Sequence, residues 1–188
     1  IIPKNFKKVR KLINYNLSKD SPVYFLLSGK IAKKENKYNE SIDFFQKASE
    51  MNDAEAFYEL AKLYFKGKGF EMNKKESFKY YQKAIKLGCL QAMYKYGLIL
   101  LHDEKEGIEY IKMAAEKGHI KAMYAYYQKK ENKIDFLKNS ANGGCIEAML
   151  AYSIYLFNLN NTFNDESRQL IKKACDKGDL KSMYYNGL

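Results

Sequence analysis

A small residue recurs at Ala48, Ala84, Ala114, Ser140 and Ala174, and a second follows eight places later at Ala56, Ala92, Ala122, Ala148 and Ser182. Four places before each of the second set stand Asn52, Gly88, Gly118, Gly144 and Gly178. Successive members of the second set lie 36, 30, 26 and 34 residues apart. Self-similarity at fixed offsets and this period is the mark of a stacked supersecondary unit. Each unit is predicted to end one helix (B) at a residue that tolerates positive φ, which glycine supplies and asparagine replaces. A second helix (A) starts about three residues on, so the two helices are antiparallel neighbours.

Inside helix A further small residues follow at Ala61, Gly97 and Ser153, where helix backbones are expected to approach closely. The place after each helix A alanine carries Phe57, Met93, Met123, Met149 and Met183, a stripe assigned to the core because that is the usual work of methionine. Gly29, Ser41 and Ala48 extend the pattern upstream. Ahead of it, Phe6, Val9, Ile13 and Leu17 form an apolar stripe on a helix expected from about Lys4 to Leu17. The expected organisation is a basic N-terminal helix over 1–20, either a cap or the end of a preceding domain. A helical-repeat domain of about four and a half repeats over 21–188 follows it. The chain starts at Ile1 and ends within a helix A at Leu188, which reads as a fragment.

The formal net charge is +11, of which residues 1–19 supply +6 through Lys4, Lys7, Lys8, Arg10, Lys11 and Lys19. Arg10 and Arg168 are the only arginines, so the bidentate group best suited to phosphate and guanine is scarce. A nucleic-acid role is therefore disfavoured. Cys89, Cys145 and Cys175 show no C-x-x-C spacing, and His102 and His119 stand apart, so neither a metal site nor a cofactor is expected. Gly67-Lys68-Gly69 lacks the rest of a phosphate loop and follows a helix, so it reads as a turn. No apolar run approaches the ~18 residues that span a bilayer. Free cysteines lean towards the cytoplasm, with the endoplasmic reticulum or secretion left open.

The segment from Ala56 to Ala92 resembles the Sel-1-like repeat, a relative of the tetratricopeptide repeat. Ala56, Ala61, Tyr64, Gly67, Gly69, Phe70, Lys83, Ala84, Gly88 and Ala92 carry the likeness. Residues 21–53 look more like an ordinary tetratricopeptide repeat, and the units beginning at Ala92 and Ala122 lack the G-x-G turn. The resemblance implies an all-α fold: a right-handed α/α superhelix, or solenoid, of stacked antiparallel helix pairs whose A helices line a concave groove. It also implies a non-catalytic scaffold or adaptor for a protein or peptide partner. The alternatives are a targeting or regulatory region of a larger protein, such as one with a kinase domain, and an RNA-binding helical repeat. Against the latter, one-base-per-repeat readout requires uniform spacing.

Tyr58, Tyr94, Tyr124 and Tyr184 share one repeat position, with Leu150 interrupting the series. Tyrosine is a favoured interface anchor, and these four are the candidate partner-binding residues. The competing reading is that they fill space between helices. No catalytic residues are assigned.

Overall fold

The computed structural model describes residues 4–69, 71–102, 104–130 and 133–179. They are helical throughout: α1 (Lys4–Asn16), α2 (Pro22–Lys34), α3 (Tyr38–Glu50), α4 (Ala54–Lys66), α5 (Lys74–Lys86), α6 (Leu90–Ile99), α7 (Glu104–Glu116), α8 (Ile120–Lys129), α9 (Ile134–Asn142), α10 (Ile146–Asn160) and α11 (Asp165–Asp176). A 3-10 turn at Leu100–His102 follows α6. Even-numbered helices from α2 to α10 are the A helices, and each is followed by its B partner. The chain forms two compact units, Ile1–Met93 and Tyr94–Leu188, with the boundary inside α6.

The local rules read from the sequence operate at every junction. Asn52, Gly88, Gly118, Gly144 and Gly178 all have positive φ, between 60° and 94°. The residue after Asn52, Gly118 and Gly144 is the N-cap of an A helix. Asp53 accepts the Ala56 N–H at 2.7 Å, and His119 accepts that of Ala122 through Nδ1 at 3.1 Å. A second left-handed series closes the A helices at Asn36, Gly67 and Asn161. Gly67-Lys68-Gly69 is a turn, as expected, with φ of 61° and 89° at its glycines. Phe70 lies outside the described residues.

The recurrent alanines carry the packing. Ala48, Ala56, Ala84, Ala92, Ala114, Ala122, Ala148 and Ala174 expose 0% of their surface, so a larger side chain at any of them meets a filled interior. Ser182 and Met183 lie outside the described residues. Met93 and Met149 are buried and Met123 is half-buried, so the stripe packs inward. The core of the N-terminal unit gathers Leu26, Ile42, Phe45, Leu60 and Leu63. That of the C-terminal unit gathers Leu137, Met149, Tyr152, Leu156 and Leu170.

The two A–B pairs of the N-terminal unit, α2–α3 and α4–α5, are each tied at their crossing by a serine near the start of helix B. The Ser41 hydroxyl donates to the Gly29 carbonyl at 2.9 Å, and the Ser77 hydroxyl donates to the Ala61 carbonyl at 2.7 Å. In α6 and α7 the same crossing is Gly97 against Gly107, without a hydroxyl.

Candidate binding surface on the A helices

In the N-terminal unit the face shared by α2 and α4 is an ion-pair array. Glu59 is buried, yet it stays charged. Burial pushes its carboxyl up, but hydrogen bonds from Lys33 and Lys62 outweigh that and hold it below its ordinary value. Lys62 donates at 2.7 Å within α4, and Lys33 reaches Glu59 from α2. The ammonium of Lys62 is shifted down, because burial and the facing Lys33 outweigh the attraction of Glu59 and Glu55. Lys30 adds a second bridge to Glu55 at 2.6 Å. Glu59 had no signal in the sequence, because its cross-helix partner lies 26 residues away.

Tyr58 precedes this carboxylate on α4 and is only 8% exposed. Its ring lies 6.2 Å from that of Tyr81, and Lys62 Nζ stands 4.0 Å from its centroid, within cation–π range. Burial, with smaller contributions from the charges of Glu59 and Cys89, pushes its phenol up to about 12.

The basic helix α1 folds against α2. Arg10 donates to Glu35 at 2.9 Å and to Glu40 at 3.1 Å, and Ile13 is buried. Between α1, α2 and α4 a pocket of about 580 Å³ opens, walled by Val9, Ile13, Leu27 and Ile31 and edged by the lysines and glutamates of the array.

In the C-terminal unit Tyr94 is half-buried on α6, with its ring 4.8 Å from the imidazole of His119. Tyr124 is half-buried on α8. Both phenols are pushed up by burial, and the neighbouring Cys145 and Glu147 add to the shift. Tyr124 and Leu150, successive members of the repeat position, wall one pocket of about 480 Å³ with Ile146, Ala151 and Ile154; Glu147 and Asp179 supply its acidic side. Tyr184 lies outside the described residues. Among the described residues no group of three or more His, Cys, Asp or Glu side chains is placed to hold a metal ion. No described helix is long and apolar enough to cross a membrane, and all three cysteines are free thiols.

The Sel1 repeat model matches residues 14–53, 54–89, 86–119 and 164–179, well over half of the chain. The chain belongs to the Sel1 repeat family. Its matched segments leave out residues 120–163, which build α8, α9 and α10 with a shortened A-to-B connection and only nine residues in α9. Among solved structures, a Sel1 repeat protein from Oxalobacter formigenes superposes with a TM-score of 0.72 at 20% identity, over 97% of this chain and 82% of that one. A protective antigen of uropathogenic Escherichia coli displaying an SLR fold gives 0.69 at 16% identity over 95% of this chain. This chain spans 43% of the length of that antigen. An immunity protein of Pseudomonas aeruginosa gives 0.58 at 17% identity, over 92% of this chain and 72% of its own. At these identities the likeness is one of fold. Among curated proteins, none matches the chain.

Proposed function

We propose that this Sel1 repeat chain is a non-catalytic scaffold that holds a protein partner against its A helices. The family fold is commonly a protein-interaction scaffold and typically non-catalytic. The observation that carries the reading is the pocket in the C-terminal unit, where Tyr124 and Leu150, one repeat position on two successive A helices, share a concave apolar wall. A stacked array of identical positions offers a partner a row of equivalent anchors, which is how solenoids use their concave faces. Tyr94 and Tyr184 belong to the same series and extend the proposed surface. Tyr58 shares the repeat position in the N-terminal unit, where its ring is mostly covered.

Affinity capture from the source lysate, after nuclease treatment and in moderate salt, tests this with wild type beside a Tyr124→Ala/Leu150→Ala variant. Circular dichroism verifies the fold of the variant. Partners retained by wild type and lost by the folded variant support the scaffold. Equal retention by both removes the A-helix surface, and capture that requires intact nucleic acid replaces the protein partner with a nucleic acid.

A further inference from the structure

The positive charge is concentrated in one unit. Residues 1–93 hold 19 lysines and arginines against 10 acids, a formal +9, whereas residues 94–188 hold 14 against 12, only +2. Within the N-terminal unit a pocket has aliphatic walls from Val9, Ile13, Leu27 and Ile31. Its edge carries Lys30 and, one turn on, Lys33 and Lys34 of α2, against Glu55 and Glu59. Its volume of about 580 Å³ falls within the range of ligand clefts. Val9 is 37% exposed at the mouth, with Lys8 and Lys11 exposed on the same helix.

We propose that this pocket takes the aliphatic side chain of an acidic segment of a partner protein, whose flanking carboxylates pair with Lys30 and Lys34 of α2. The proposal rests on the scaffold reading and names the chemistry of its partner. Three observations converge on that occupant. The aliphatic walls favour burial of a Leu, Ile or Val anchor, because the driving force scales with apolar area removed from water. The +9 unit steers an anionic segment towards it and repels a cationic one. The Lys30–Glu55 pair, 32% and 44% exposed, is a surface ion pair, and such pairs exchange partners at little cost.

The test uses the whole chain and a fluorescein-labelled helical peptide that carries leucines on one face and glutamates beside them. Two control peptides replace the glutamates by glutamine or the leucines by alanine. Fluorescence anisotropy in moderate salt is expected to give the Leu/Glu peptide an affinity at least about tenfold above either control. Val9→Arg is the decisive variant, because it fills the mouth while adding positive charge. The proposal expects at least about a tenfold loss, and Val9→Trp, which fills without charge, should lose as much. Lys34→Glu should weaken the Leu/Glu peptide and spare the Leu/Gln one.

Binding that is unchanged or tighter in Val9→Arg overturns the proposal and leaves charge attraction alone. A loss confined to the Tyr124→Ala/Leu150→Ala variant overturns it while the scaffold reading stands. A thymidine oligonucleotide that displaces the peptide and binds Val9→Arg as well as wild type reassigns the surface to phosphate. Absence of any peptide binding also overturns the pocket assignment, and the lysate capture then decides the scaffold reading separately.

Discussion

Gly97 and Gly107 face each other so closely that a Cβ on Gly97 would lie 2.9 Å from the Gly107 carbonyl oxygen, and one on Gly107 would lie 2.8 Å from that of Gly97. The equivalent crossings in the N-terminal unit are held by a serine hydroxyl on a carbonyl, Ser41 to Gly29 and Ser77 to Ala61. The α6–α7 pair has traded that hydrogen bond for closer backbone contact. Gly107→Ser, although it introduces the residue found at positions 41 and 77, is therefore expected to destabilise the protein by about 1–3 kcal/mol through overpacking. Ser77→Ala should lose only about 1 kcal/mol, the worth of one hydrogen bond. Urea denaturation of both variants checks the order, which reverses if the serine is a generic solution at every crossing.

Glu59 is the buried centre of a three-residue charge network with Lys33 and Lys62, whose side chains are 29% and 25% exposed. Glu59→Gln removes the carboxylate and leaves two lysines facing each other. The expected loss is about 1–3 kcal/mol, below the figure for a fully buried pair because both lysines reach solvent. The folded-state carboxyl lies below its ordinary value, so this stabilisation is present above the unfolded carboxylate pKa and is lost as pH falls through the folded one. Wild type should therefore lose more stability than Glu59→Gln between neutral pH and pH 3, measured by denaturant midpoint.

His119 occupies a cap position that Asp53 fills in another repeat, and it accepts the Ala122 N–H through its unprotonated Nδ1. Burial, with a smaller push from Lys121, lowers its imidazole below the usual 6.5, while a backbone hydrogen bond opposes the shift. A folded pKa below the unfolded one means that the unfolded chain takes up the proton first. The cap is thus fully present above pH 6.5 and is lost as pH falls from there through the folded value. His119→Asp is expected to abolish the part of the stability change that falls between pH 7 and pH 5. Thermal melts across that interval read it directly, and parallel pH profiles for the two proteins would contradict the assignment.

Gly67 closes α4 with φ of 61°, the conformation that Asn36 and Asn161 adopt at the ends of other A helices. Gly67→Asn should be tolerated within about 1 kcal/mol, whereas Gly67→Val, β-branched and placed 3.0 Å from the Met72 backbone nitrogen, should cost clearly more. Melting temperatures of the two variants test whether the left-handed conformation or the space is the limiting factor.

The legible part of this fold is the part whose causes are local. The positive-φ residues at the B-helix ends, the alanines at the close approaches and the apolar face of α1 each depend on their own backbone or helical period. The candidate surface was legible only as a register. Tyr58, Tyr94 and Tyr124 share one repeat position, yet Tyr58 is covered by Tyr81 and Lys62, Tyr94 lies against His119, and Tyr124 lines a pocket. The covering residues differ from repeat to repeat, and no spacing within helix A announces them.

The sequence by itself determined an all-α array of antiparallel helix pairs, because a left-handed junction every repeat and a small residue at each crossing leave the chain few other ways to bury its apolar faces. Only the tertiary structure decided which side chains meet across helices. It placed Arg10 between Glu35 and Glu40, brought Lys33 to Glu59 from 26 residues away, and turned the basic first helix into the wall of an aliphatic pocket. Those contacts follow from how one helix packs on another, and helix packing is settled by the combined shape of both faces and is not written in either strand of sequence alone.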